Sequence, residues 1–149
     1  MTARRYQELE VWQLCEEIRQ RVLTETARKL PSWDRSFCDQ IRDAAEDATA
    51  DVAEGFVRFK PREFAQFLGY ALSSLAEVRE RTRHGHDRGY FCPEFAAELI
   101  RLCVRADKAA RSLRQYLWRI SPDDVPYHPD ARALRRRRGR QRRHSTSGG

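Results

Sequence analysis

The chain has 149 residues, a formal charge of +7, and 40% hydrophobic and 34% charged side chains. That length predicts one domain, able to bury a core without disulfides or metals. The excess of charge over the globular norm suits amphipathic helices with charged outer faces. No apolar run approaches the roughly 18 residues that span a bilayer, and the N-terminus has no signal-peptide apolar stretch. The expectation is a cytoplasmic, reducing location with no membrane partner.

The cysteines Cys15, Cys38, Cys92 and Cys103 form no Cys-x-x-Cys pair, which argues against a zinc knuckle. Cys15, Cys38 and Cys103 fall on apolar helical stripes, where a free thiol behaves as a small hydrophobe.

A first helix is predicted over about 8–30. Its apolar positions Val11, Leu14, Cys15, Ile18 and Val22 recur at three- and four-residue steps, and Pro31 ends it by pushing the preceding residue out of the helical region. A second is predicted over about 33–56, capped by Ser32 or Asp34, with Phe37 or Cys38, Ile41, Ala45, Ala48, Val52 and Gly55 inward. Its outer face carries Asp39, Asp43, Glu46, Asp47, Asp51 and Glu54; residues 33–57 hold seven acids and two arginines, a net of −5. Pro61 suits the first turn of a third helix, where a missing amide hydrogen costs nothing. The stripe Phe64, Phe67, Leu68, Ala71, Leu75, Val78 takes that helix to about 83, with Gly85 and Gly89 as the stop. Pro93 opens a fourth helix along Phe95, Leu99, Leu102, Cys103, Ala106, Ala110, Leu113, Leu117 and Ile120, and Pro122 and Pro126 prevent its continuation.

No alternating β-branched run signals a strand. Four helices with short connections predict an all-α fold, an antiparallel up-down-up-down four-helix bundle, over residues 1–120. Residues 121–149 are rich in proline, arginine and serine with almost no apolar content. They cannot offset their ordering entropy and are predicted to form a disordered basic tail. The charge follows this division: residues 1–120 hold 21 basic and 19 acidic side chains, a net of +2, and residues 121–149 hold eight arginines and three aspartates, a net of +5.

Several separated motifs occur in order. They are Tyr6, Glu8, Leu9, Val11 and Trp12; Asp39-Gln40-Ile41-Arg42-Asp43-Ala44-Ala45; Ala53-Glu54-Gly55-Phe56; Phe64, Phe67-Leu68, Ala71-Leu72-Ser73-Ser74-Leu75 and Glu77; and Gly89-Tyr90. Together they resemble the pattern of the 23S rRNA intervening-sequence proteins over roughly 6–120. The chain departs from that pattern at Ala48-Thr49-Ala50-Asp51, where the family usually has Ile-Pro-x-Asn, and at Ser73-Ser74-Leu75, where it often has Gly-Ser-Leu. The missing proline predicts a straighter second helix, and Asp51 puts a carboxylate where an amide is usual. The resemblance implies a four-helix bundle that assembles as a homopentamer. A more distant similarity, to the accessory variability protein of diversity-generating retroelements, implies a basic pentamer working with a reverse transcriptase and its RNA.

Candidate chemistry is concentrated in arginine. Arg132 is followed by Arg135, Arg136, Arg137, Arg138, Arg140, Arg142 and Arg143, seven arginines in the nine residues 135–143. Guanidinium groups suit phosphates because they offer paired donors and stay charged, and each phosphate neutralised releases counterions. A solubilising tail and an anchor for acidic lipid are the competing readings, the latter lacking any apolar partner for the charge. A second basic patch is expected at the end of the third helix from Arg79, Arg81, Arg83, Arg88, His84 and His86. A third follows from Arg101, Arg105, Lys108, Arg111 and Arg114 at helical spacing on the fourth. The latter is a solvated face, a nucleic-acid track that would include Arg79, Arg83, Arg105 and Lys108, or the mate of the acidic second helix.

Other groups carry less. His84-x-His86 offers two imidazoles in a loop, but a bundle metal site needs Glu-x-x-His on facing helices, which is absent; no metal or other cofactor is expected. Glu54 and Glu77 are paired carboxylates without an accompanying histidine, nucleophile or phosphate loop, so no catalytic residue is assigned. Ala53, Glu54, Gly55, Phe64, Leu68, Leu75 and Glu77 read as a structural motif, with Arg42, Arg58 or a tyrosine on another helix as the partner of Glu54. Trp12, Trp33 and Trp118 stack on bases or pack helix ends. The function expected is a non-enzymatic, oligomeric RNA-binding accessory, with an oligomeric protein scaffold as the alternative.

Overall fold

The structure, a computed structural model, describes residues 3–28, 34–58 and 60–124. A 3-10 turn at Tyr6–Glu8 leads into α1 (Glu10–Arg28), followed by α2 (Arg35–Val57), α3 (Pro61–Asp87) and α4 (Pro93–Arg119). Among the described residues α1 packs on α2, α2 on α3, α3 on α4 and α4 on α1, with no α1–α3 or α2–α4 contact. That is the square of antiparallel neighbours expected of an up-down-up-down bundle. No described helix is long and apolar enough to cross a membrane. The arginine-rich segment 125–149, with Leu30, Pro31, Ser32 and Trp33, lies outside the described residues.

Three of the helix starts have a local cause. The Asp34 carboxylate accepts from the Phe37 backbone N–H at 3.2 Å, satisfying one of the free donors of the first turn. Pro61 and Pro93 each stand at the first positions of α3 and α4, where no amide hydrogen is needed. Cys92 caps α4, its sulfur accepting from Phe95 N–H at 3.5 Å. α2 runs unbroken through Ala48–Asp51, as the lack of proline there predicts.

The core is built from the apolar stripes. Ile18, Ile41, Leu68, Leu75, Leu99 and Leu117 are fully inaccessible; each such side chain contributes about 1.5–3 kcal/mol relative to exposure. Phe37 and Cys38 are both buried, and on α4 Ala96 takes the buried place at which Phe95 is only partly covered. The three buried polar side chains, Thr26, Thr49 and Thr82, return their hydroxyl hydrogens to the carbonyls of Val22, Ala45 and Val78. Thr26 also accepts from Arg42 Nε at 2.7 Å, tying α1 to α2.

Aromatic rings close both ends. At the end where α2 stops and α3 begins, Phe56 meets Tyr6 and Phe64 edge-on at 6.3 and 6.2 Å. At the other end Phe37 meets Tyr90 and Phe91 at 5.2 and 5.7 Å, and Phe91 meets Phe95 at 4.9 Å.

The third helix corrects the sequence reading. It does not stop near 83 at Gly85 but runs to Asp87, and the terminator is Gly89, at φ 76°. Gly85 is a packing glycine: a Cβ there would lie 2.5 Å from Phe91 Cδ2 and 2.9 Å from Phe37 Cζ. Its carbonyl accepts from both Tyr90 and Phe91 N–H.

Gly55 and Gly69 give opposite expectations. A Cβ at Gly55 would sit 2.7 Å from Phe64 Cδ2 and 2.7 Å from Phe67 Cβ, whereas at Gly69 only the Arg114 guanidinium approaches, at 3.8 Å. In urea unfolding, Gly55→Ala should cost about 1–3 kcal/mol through overpacking. Gly69→Ala should gain about 0.5–1 kcal/mol, because alanine suits a helix interior better.

Candidate nucleic-acid interface

The diagonal placement of α2 and α4 turns their outer faces in opposite directions. On α2, Asp39, Asp43, Glu46 and Asp47 are exposed and have no ion pair within 4 Å among the described residues. On α4 the basic row is more divided than its spacing implies. Arg101 and Arg111 are engaged by Glu98 and Asp107 of the same helix. Arg105 and Lys108 are exposed with no carboxylate within 4 Å among the described residues, although Arg105 adds to the positive potential at Glu98. Arg114 is half-buried over Gly69.

The end of α3 is less basic than its arginines suggest. Arg81 lies near Glu77, Arg83 near Glu80 at 3.6 Å, and Arg88 reaches across to Asp34 at 3.7 Å. His84 Nε2 meets Glu80 at 3.2 Å. Arg79 differs: it is half-buried, and its charge acts on the buried Cys103 thiol of α4. His84 and His86 are on the last turns of a helix, not in a loop as expected, and side chains two apart on a helix point away from each other. Among the described residues no cluster of three or more His, Cys, Asp or Glu is placed to hold a metal. Arg132, Arg135, Arg136, Arg137, Arg138, Arg140, Arg142 and Arg143 lie outside the described residues.

The motif residues divide into core and surface. Gly55, Phe64, Leu68 and Leu75 are buried and Ala53 is half-buried. Glu54 accepts from Arg58 at 2.9 and 3.2 Å, so Arg58 and not Arg42 is its partner. Glu77 faces Arg81 at 3.9 Å. Each carboxylate is paired with an arginine four residues on along its own helix, as ordinary helix-surface pairs are.

One feature of the surface was legible only in part. Arg62, Gln66 and Tyr70 follow each other at four-residue steps along α3, and Arg114 and Trp118 do so on α4, so each set forms a row. The two helices touch here at two points. The Arg62 guanidinium lies 4.5 Å over the Trp118 ring and donates to the Leu117 and Ile120 carbonyls. The Arg114 guanidinium lies over Gly69. Tyr70 is held by Gln66 Nε2, which donates to its hydroxyl at 2.8 Å, and by Phe67, edge-on at 5.5 Å. Phe67 in turn carries the Arg58 guanidinium at 5.0 Å. Trp118 and Tyr70 remain 54% and 48% exposed. Arginines and aromatic residues at four-residue steps were the available signal; the contacts that join α3 to α4 here are 45 to 58 residues apart in sequence.

Three thiols are buried and Cys92 is exposed. Burial pushes the Cys15 and Cys103 thiols up to about 12, so they stay protonated and unreactive. Asp51, half-buried beside α1, is pushed up to about 6 by burial, with Asp47 and Glu54 adding negative potential. Its folded-state value lies above its unfolded one, so binding a proton favours the fold. That contribution is complete below about 3.8 and disappears as pH rises through about 6. Asp51→Asn should therefore raise stability at pH 7 by about 1 kcal/mol once solvent screening is allowed for. In urea titrations the gain should shrink to nothing below the ordinary aspartate range, near pH 4.

The family model for 23S rRNA-intervening sequence protein matches residues 7–112, covering α1 to α3 and most of α4. No curated protein matches the chain. The matched stretch includes the close α2–α3 approach at Gly55 and the turn at Gly89. On that match the chain belongs to the 23S rRNA-intervening sequence protein family.

Proposed function

We propose that this protein is a non-enzymatic, oligomeric nucleic-acid-binding protein whose ligand is RNA. The observation that carries the reading is the arginine-rich segment, seven arginines in residues 135–143, joined to the C-terminal end of α4. Arg105 and Lys108 support it as exposed cations of α4 without carboxylate partners among the described residues. Guanidinium and ammonium groups of this kind bind phosphates with little sequence preference. The family's name, which refers to an intervening sequence of 23S rRNA, favours RNA over DNA. Assembly as a pentamer would bring five tails to one ligand, and linked weak sites bind far more tightly than one.

The acidic outer face of α2 supports a second reading, a scaffold that binds another protein. Its Asp39, Asp43 and Asp47 are exposed without cationic partners among the described residues, and opposed charge on separate faces steers protein association. A stoichiometric protein partner that survives nuclease treatment in a pull-down would select this reading over the first.

The first reading is checked by fluorescence polarisation with a labelled RNA hairpin. Affinity should fall roughly a hundredfold between about 50 and 200 mM salt, as about four phosphate contacts require. Removal of residues 132–149 should flatten that salt dependence and weaken binding at low salt. Affinity indifferent to both salt and truncation excludes the reading. Light scattering at micromolar concentration tests the assembly; a monomeric mass excludes the pentamer.

A further inference from the structure

The outer face of α2 is strongly charged and unpartnered. Asp39, Asp43, Glu46, Ala50, Glu54 and Val57 recur at three- and four-residue steps and are all exposed, so they form one row along a single helix. The potential of the row is felt beside it: burial first, then Asp47 and Glu54, push the Asp51 carboxyl up to about 6. The other helices set arginines beside carboxylates of their own, as α1 does at Glu16 and Arg19, α3 at Glu80 and Arg83, and α4 at Asp107 and Arg111. α2 does so only at its end, between Glu54 and Arg58. Its Arg42 is turned to Thr26 of α1. Glu46 has only the longer-range field of Arg19, which is itself bonded to Glu16. Asp39, Asp43 and Asp47 have no cation within 4 Å among the described residues.

We infer that residues 135–143 of the same chain dock along this face of α2, and that an RNA ligand has to displace them. The docking stands on the face and on the sequence of the segment; the competition rests on the nucleic-acid reading above. Charge, length and reach agree. Residues 33–57 carry a net of −5, and residues 135–143 hold seven arginines. The row from Asp39 to Glu54 is about 22 Å long, and nine residues of extended chain cover about 30 Å. α2 and α4 finish at the same end of the bundle, since Phe56 of α2 meets Phe64 and the neighbouring Arg62 bonds to the Leu117 carbonyl. Diagonal helices of a square bundle stand about 11–14 Å apart. The ten residues 125–134 between the described chain and the segment reach about 33 Å. Ala50 and the exposed Val57 give the methylene stems of arginine an apolar footing within the row. Single exposed ion pairs are weak, but a tethered segment meets its site at about millimolar effective concentration, so a handful of them suffices.

The test compares the full wild-type chain with a variant carrying Asp39→Asn, Asp43→Asn, Glu46→Gln and Asp47→Asn, all at exposed positions. Trypsin cleavage within residues 135–143, followed by mass spectrometry, reads the docking. At low salt the segment should be cut roughly tenfold more slowly in the wild type than in the variant, as several exposed ion pairs allow. Asp43→Asn with Asp47→Asn alone should give an intermediate rate. The rates should converge at about 1 M salt, where the screening length is about 3 Å, and the protection should not depend on protein concentration. Equal cleavage at low salt overturns the docking and leaves the face to a basic segment of another protein. Protection that grows with concentration overturns it too, by assigning the segment to a second copy. In polarisation with the RNA hairpin, the variant with all four substitutions should bind about tenfold more tightly at low salt. An unchanged RNA affinity beside a clear difference in cleavage overturns the competition. Should the docking fail while removal of residues 132–149 still abolishes RNA binding, the RNA reading survives. Slower cleavage in the wild type with no RNA binding at any salt upholds the docking and removes the RNA reading.

Discussion

At Gly55 the α2 backbone comes so close to α3 that no side chain fits: a Cβ would lie 2.7 Å from both a ring carbon of Phe64 and the Cβ of Phe67. Much of the surrounding geometry follows from this approach. It seats Phe64 against Phe56, and Phe56 against Tyr6, so that three helical segments share one aromatic plug. It also brings the base of Phe67 up to the α2 backbone while its ring stays half-exposed. Ala44, Ala45 and Ala48 continue the same stripe of α2 with almost no accessible surface. Small residues there let the helices close up and gain the dispersion contacts that dense packing supplies.

The charged surface follows a different logic. Half of the arginines among the described residues meet a carboxylate three or four residues away in sequence, as Arg19 does Glu16 and Arg111 does Asp107. Such pairs are exposed and screened and stabilise little, but they cancel charge locally. What matters for a partner is the residue of charge left over. On α2 it is negative, on α4 it is positive at Arg105 and Lys108, and the two lie at opposite corners of the square. The bundle is thus electrically polarised across its section although residues 1–120 are close to balanced.

The helices and their inward stripes were legible in the sequence because a 3.6-residue period is a local property. The cap at Asp34, the prolines opening α3 and α4, and the buried thiols were legible for the same reason. Gly85 was misread because glycine before a turn has two meanings. It allows a left-handed stop, or it clears space for a neighbour, and only the arrival of Phe91 and Phe37 decides which. Counting arginines along a face does not show which are paired with Glu80 or Asp107, because that depends on side-chain geometry. Arg62 reaches the carbonyl of Leu117 across from α3 to α4, a pairing that no periodicity encodes. The arginine-rich run 135–143 was the plainest signal in the chain, and it lies outside the described residues.

The motif around Glu54 connects these two halves of the molecule. Glu54 is exposed and its bond to Arg58 adds little to stability. Yet that bond fixes where the Arg58 guanidinium lies, which is over Phe67. Phe67 supports the edge of Tyr70, and Gln66 holds the Tyr70 hydroxyl. Glu54 therefore sits at the start of a chain of contacts ending in an exposed ring, that of Tyr70. Gly55 sets the height of Phe67 from beneath and the Glu54–Arg58 pair covers it from above. The short run Ala53-Glu54-Gly55 accordingly does two things. It closes the bundle, and it determines how Phe67 and Tyr70 are presented.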